Sequence, residues 1–126
     1  MTPTEYMKLA EVTDSDLKHY EISGERLKEL AKVMHYGIGL STEANEILDA
    51  LKKHFQYGKP LDTVNIKEEI SDCLWFISGL LRHYNWTFEE VMETNINKLK
   101  ARYGTKFSEA AALNRDLESE RKILEL

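Results

Sequence analysis

The chain has 126 residues, of which 42% are hydrophobic and 31% charged, so its composition is that of an ordinary folded protein and its length suits one domain spanning residues 1–126. A net charge of −5 argues against a nucleic-acid polymer as partner, and the single cysteine excludes an intramolecular disulfide. No apolar run approaches the roughly 18 residues that span a membrane, and Met1 begins no signal-peptide pattern, so we expect a cytoplasmic protein without a membrane partner.

Apolar residues at helical spacing predict α-helices along most of the chain, and no segment alternates long enough to indicate a strand. A first helix is expected over about 25–35, loosened or interrupted by Gly37 and Gly39. A second helix is expected to begin near Ser41 or Thr42.

Capping signals predict the later helices. Residues 56–62, which contain a Gly-Lys-Pro sequence, form a predicted loop, and Asn65 with an acid three residues later resembles the capping box of a third helix. Thr87 with Glu90 is the same signal for a fourth helix, which Gly104 ends, and Ser108 is expected to cap a last helix. The predicted fold is therefore all-α, a bundle of four to five helices.

Two of these helices carry the same pattern at an offset of 26 residues, 40–51 and 66–77. Each has an apolar stripe with two acids three residues apart on one flank, so each acid pair lies within about 60° on its helix. Antiparallel packing of the two stripes would bring four carboxylates together: Glu43, Glu46, Glu69 and Asp72. Carboxylates this close repel unless a cation neutralises them, and oxygen ligands favour Mg²⁺ or Mn²⁺. Solvated acids on ordinary helix surfaces are the alternative interpretation.

The motifs E-x-x-E at 43–46 and E-x-x-D at 69–72, with 22 residues between them, resemble the signature of the MazG-like all-α nucleotide pyrophosphohydrolases. Residues 95–103 resemble the N-x-x-K-x-x-x-R-[YF] segment of that family's fourth helix, and 114–116 its N-R-D tail. The resemblance covers a core of about 25–120. Ser71 and Ala101 depart from common family residues, and Ala101 leaves phosphate binding to fewer charges.

The resemblance implies hydrolysis of a nucleoside triphosphate to the monophosphate and pyrophosphate, for control of the dNTP pool or for nucleotide house-cleaning. It implies a magnesium cofactor held by the four acids, with Glu46 as the choice for the group that activates water, and a homodimer or homotetramer that completes the bundle. The expected substrate-binding residues are Asn95, Lys98, Arg102 and Tyr103. Cys73 is predicted to be buried, which leaves no evident protein nucleophile, and His35 and Tyr36 are candidates for contact with a base.

Other functions remain open at this point. A phosphoribosyl-ATP hydrolase and a dUTP or dUDP hydrolase belong to the same superfamily, and an acidic helical interaction module would need no metal. The scattered histidines form no H-x-x-x-H pair, which argues against a zinc site. A di-iron bundle needs E-x-x-H motifs, which neither Glu43 nor Glu69 begins.

Overall fold

A computed structural model describes residues 1–15 and 23–126, and within these ranges it contains six α-helices and no strand. The helices are α1 Pro3–Glu11, α2 Gly24–Tyr57, α3 Thr63–Tyr84, α4 Phe88–Tyr103, α5 Glu109–Leu113 and α6 Leu117–Leu124. The all-α prediction is therefore confirmed. Among the described helices, none combines the length and the apolar character needed to cross a membrane.

The chain divides into two compact units, Met1–Ala31 and Lys32–Leu126. The first unit contains α1, which the sequence patterns did not predict. This helix begins with Pro3 after a capping box, in which Thr2 Oγ1 accepts from the backbone N–H of Glu5 at 3.2 Å and Glu5 Oε2 accepts from that of Thr2 at 2.6 Å. All residues of the candidate site lie in the second unit.

The expected interruption at Gly37 and Gly39 is wrong, because α2 is one continuous helix of 34 residues. Gly39 is buried, and a Cβ at that position would lie 2.1 Å from Cε1 of Phe76 on α3. Gly79 on α3 faces Tyr36 on α2 in the same way, at 2.4 Å. The two glycines allow aromatic rings of the opposite helix to pack against the backbone, so α2 and α3 run antiparallel in close contact.

Helix ends agree with the sequence in part. The predicted box at Asn65 is wrong, since Asp62 caps α3 by accepting from the Asn65 backbone N–H at 3.0 Å. The box of Thr87 and Glu90 is confirmed at the start of α4, with bonds of 2.7 and 3.2 Å. Gly104 ends α4 with a φ of 65°, a conformation in which glycine is favoured.

Ser108 caps a helix as predicted, but the segment beyond it forms two helices instead of one. The short α5 ends at Asn114, and Asp116 begins α6 by accepting from the Ser119 backbone N–H at 3.0 Å. Glu118 and Lys122 form an exposed salt bridge one turn apart on α6, at 2.9 Å.

The apolar stripes of α2 and α3 are only partly covered. Among the described residues, the buried hydrophobic side chains are Ala50 and Leu81. Leu48 and Leu74, both on the matched stripes, remain 61% and 49% exposed. The helices meet along glycines, aromatic rings and acids, and much of each stripe stays open.

Candidate metal centre

Three carboxylates meet where α2 and α3 face each other. Glu43 on α2 and Glu69 and Asp72 on α3 each offer one oxygen, and these oxygens all lie within 4.8 Å of one another. Glu69 is only 8% exposed, Glu43 is half-buried and Asp72 is exposed. The antiparallel contact of α2 and α3 therefore brings together three of the four acids predicted from the repeated motif.

The electrostatics of this group favour a bound cation. Desolvation raises the pKa of Glu43, and the neighbouring carboxylates of Glu69 and Asp72 raise it further. Desolvation is the largest cause of a raised pKa at Cys73, and the same three acids raise it further. The sequence predicted a buried Cys73, but its side chain is only half-buried. Three carboxylate oxygens in one place form a donor set that fits Mg²⁺ or Mn²⁺.

Glu46, the fourth predicted acid, lies outside this group in the described structure. Its exposed side chain lines a neighbouring cleft of about 600 Å³ near the end of the α2–α3 hairpin. The cleft is bounded mainly by charged and polar residues, among them Lys53, Lys59, Asn65 and Glu68. Glu46 lies one turn after Glu43 on α2. Among the described residues it forms no salt bridge.

Aromatic rings lie one turn from Asp72 on α3 and about two turns from Glu43 on α2. Phe76 follows Asp72 on α3, and its ring is 5.7 Å from that of His35 on α2. Trp75 contacts Phe76 at 5.0 Å and Tyr36 at 6.2 Å between ring centroids, and its side chain remains 54% exposed. The structure therefore places the two residues expected to contact a base beside an open aromatic surface.

On α4 the predicted substrate residues separate into two pairs. Asn95 and Lys98 line a groove of about 1050 Å³, whose opposite wall includes Ile123 and Leu124 of α6. Lys98 is half-buried there, whereas Lys100 is exposed. Tyr103 packs against Phe107 at 5.3 Å between ring centroids. In the part of the chain that the structure describes, no hydrogen bond joins these four residues of α4 to the three acids.

Arg102 has a different partner from the one the sequence suggested. Its Nε and Nη2 donate to the two carboxylate oxygens of Glu120 on α6 at 2.7 and 2.6 Å. Arg115 donates to the same carboxylate at 2.7 Å, and Glu120 is only 4% exposed. Glu120 is not among the residues predicted from the sequence, because no sequence pattern pairs it with an arginine 18 residues earlier.

The triad of Arg102, Arg115 and Glu120 predicts a loss of folding stability in acid. Hydrogen bonds from Arg102 and then Arg115 lower the pKa of Glu120 from 4.5 to about 2. Between these values the unfolded chain binds more protons, so the stability present above about pH 4.5 is lost as pH falls toward 2. Denaturant unfolding of the Glu120→Gln variant should show lower stability at pH 7 and a smaller loss on acidification.

The control for this prediction is Glu118→Gln on the same helix. Glu118 pairs with Lys122 at 2.9 Å, but its side chain is 82% exposed, so its removal should change the free energy of unfolding little. Equal pH dependence of unfolding in wild type and Glu120→Gln would show that the triad does not hold α6 on α4.

A comparison with protein-family models identifies the family of the chain. The model of the MazG nucleotide pyrophosphohydrolase domain matches residues 32–107, which include the three acids, Glu46 and the Asn95–Tyr103 segment. No curated protein and no solved structure matches the chain significantly.

Proposed function

We propose, since the chain belongs to the MazG nucleotide pyrophosphohydrolase family, that it hydrolyses a nucleoside or deoxynucleoside triphosphate to the monophosphate and pyrophosphate with Mg²⁺. The observation that carries the proposal is the group of Glu43, Glu69 and Asp72 within the matched region. Mn²⁺ is a substitute cation for the same oxygen ligands. Control of the dNTP pool or removal of unwanted nucleotides is the proposed role.

In the proposed mechanism, Glu43, Glu69 and Asp72 bind the cation, and Glu46 orients the attacking water and accepts its proton. When bound, Mg²⁺ supplies neutralisation of phosphate charge and acidification of water. The water oxygen bonds to the α-phosphorus, the bond from that phosphorus to the bridging oxygen breaks, and pyrophosphate leaves.

The remaining parts of the substrate are assigned to the neighbouring surfaces. The rings of His35, Tyr36 and Trp75 are proposed to contact the base, because Trp75 lies one turn from Asp72, Tyr36 contacts both Trp75 and His35, and the side chain of Trp75 remains 54% exposed. Asn95 and Lys98 are proposed to contact phosphate and sugar. Arg102 and Tyr103 are proposed to belong to the same substrate-binding segment of α4. The salt bridge between Arg102 and Glu120 suggests that Arg102 acts by holding α6 in place.

A nucleotide panel tests the activity. The protein is incubated with Mg²⁺ and each canonical NTP and dNTP, with dUDP and with phosphoribosyl-ATP, and the products are separated by chromatography. We expect monophosphate and pyrophosphate in equal amounts from at least one triphosphate, and far less of both from the Asp72→Asn variant. Turnover of phosphoribosyl-ATP or dUDP alone would contradict the proposed substrate class, and no turnover of any compound would contradict an enzymatic role.

Self-association is proposed from the uncovered apolar surface. Large side chains on α2 and α3 are about half exposed or more in the single chain, including Leu48, Ile70, Leu74 and Trp75. Patches of this kind on soluble domains mark interaction sites, and a second copy of the α2–α3 hairpin offers a matching apolar face. Light scattering at micromolar concentration should give the mass of a dimer or tetramer. A strictly monomeric and fully active protein would contradict this prediction.

A further inference from the structure

We propose that Asn65 is a positioning residue for the metal centre, whose side-chain amide orients Glu69 as a cation ligand. The inference rests on the proposed function, because it assigns a role in the same cation site. Asn65 Nδ2 donates to Glu69 Oε1 at 2.7 Å. The sequence pattern had assigned Asn65 to a helix cap, so this role is separate from every residue role predicted from the motifs.

The amide is held in place by the start of α3. The backbone N–H of Asn65 donates to the carboxylate of Asp62, the N-cap residue, at 3.0 Å. One turn later Glu69 lies on the same face of the helix, so the amide reaches its carboxylate from a fixed backbone position. Asn65 is half-buried and Glu69 is 8% exposed, which limits competition from water for this hydrogen bond.

The chemistry of the donor distinguishes a positioning role from a stabilising ion pair. A buried carboxylate requires hydrogen bonds or a counter-charge. Among the described residues Glu69 forms no salt bridge, and its donor is a neutral amide. An amide fixes the plane of the carboxylate and leaves its negative charge available for a cation, whereas a lysine or arginine would compete with that cation. Partners of this kind orient metal ligands and tune metal affinity.

The location of Asn65 also links two parts of the site. It lines the cleft that contains Glu46, and it contacts the buried acid of the three-carboxylate group. A change at Asn65 therefore acts on the metal centre through Glu69, without removing a ligand or the proposed water-activating group.

The test measures Mn²⁺ binding without nucleotide, with electron paramagnetic resonance as the readout. It compares the wild-type protein with the Asn65→Ala and Glu69→Gln variants. Alanine favours a helix more than asparagine does, so Asn65→Ala should fold. We expect its Mn²⁺ affinity to fall by roughly 10-fold or more. Turnover should fall at limiting Mg²⁺ and recover at high Mg²⁺ in Asn65→Ala, but stay low in Glu69→Gln.

Asn114→Ala is the matched control. Its Nδ2 donates to the Ala110 carbonyl oxygen at 2.9 Å with the same spacing of four residues, away from the acids, and we expect wild-type Mn²⁺ affinity. Affinity of Asn65→Ala within a factor of about two of wild type, with Glu69→Gln impaired, would overturn the positioning role alone. Wild-type Mn²⁺ affinity in Glu69→Gln would instead overturn the metal centre and, with it, the proposed function.

Discussion

Glu43→Gln and Asp72→Asn should each lower kcat/KM by roughly 10²–10³-fold, the scale for losing one strong electrostatic contribution at a reacting centre. Both carboxylates offer an oxygen to the three-acid group, so each substitution removes a proposed cation ligand. The helical fold should persist, because the loss of one acid relieves repulsion that raises the pKa of Glu43. Steady-state kinetics and circular dichroism of each variant measure the two effects.

Glu46→Gln separates ligand from base. Since Glu46 lies outside the three-acid group, this variant should bind Mn²⁺ with nearly wild-type affinity but lose turnover to a similar degree. Glu89→Gln, an exposed acid in the first turn of α4, is the control and should be fully active. Near-wild-type turnover in both Glu43→Gln and Asp72→Asn would remove the basis for the metal centre.

Lys98→Ala should weaken catalysis by roughly 2–4 kcal/mol in transition-state terms, about 30- to 1000-fold in kcat/KM. Lys98 lies half-buried in the α4–α6 groove, and no salt bridge engages its ammonium group among the described residues. The guanidinium of Arg102 is paired with Glu120. Of the two cations predicted to bind substrate on α4, Lys98 is therefore the one available for phosphate oxygens. The loss should be similar for every base, because phosphate contacts carry no base information.

Lys100→Ala is the control for charge alone, because Lys100 is on the same helix but exposed. It should retain wild-type kcat/KM, whereas Arg102→Ala should reduce stability together with activity. If Lys98→Ala stays within a factor of about two of wild type for all substrates, the triphosphate is held elsewhere and this part of α4 is structural.

Local signals in the sequence predicted the parts of the fold that depend on neighbours in the chain. The Thr87–Glu90 box, the Gly104 stop and the Ser108 cap all act within a few residues, and each is found as predicted. The role of Gly39 was not predicted, because a glycine is required there by the close approach of the Phe76 ring on another helix. No local pattern indicates that an aromatic ring will fill the place of a missing Cβ.

The candidate site shows the same division. The repeated spacing placed Glu43, Glu69 and Asp72 on facing helices, and they do come together. Glu46 shares that spacing but lies in the adjoining cleft, since the point at which two helices cross decides which turn faces the partner. The partners of Arg102 and Glu69 depend on side-chain geometry, so Glu120 and Asn65 became visible only in the folded chain.

The most direct test of the proposed reaction is hydrolysis of an accepted triphosphate in water enriched in oxygen-18, with Mg²⁺ and mass spectrometry of the products. Attack of water on the α-phosphorus predicts one labelled oxygen in the nucleoside monophosphate and none in the pyrophosphate. Label in the pyrophosphate, or orthophosphate as the first product, would contradict it.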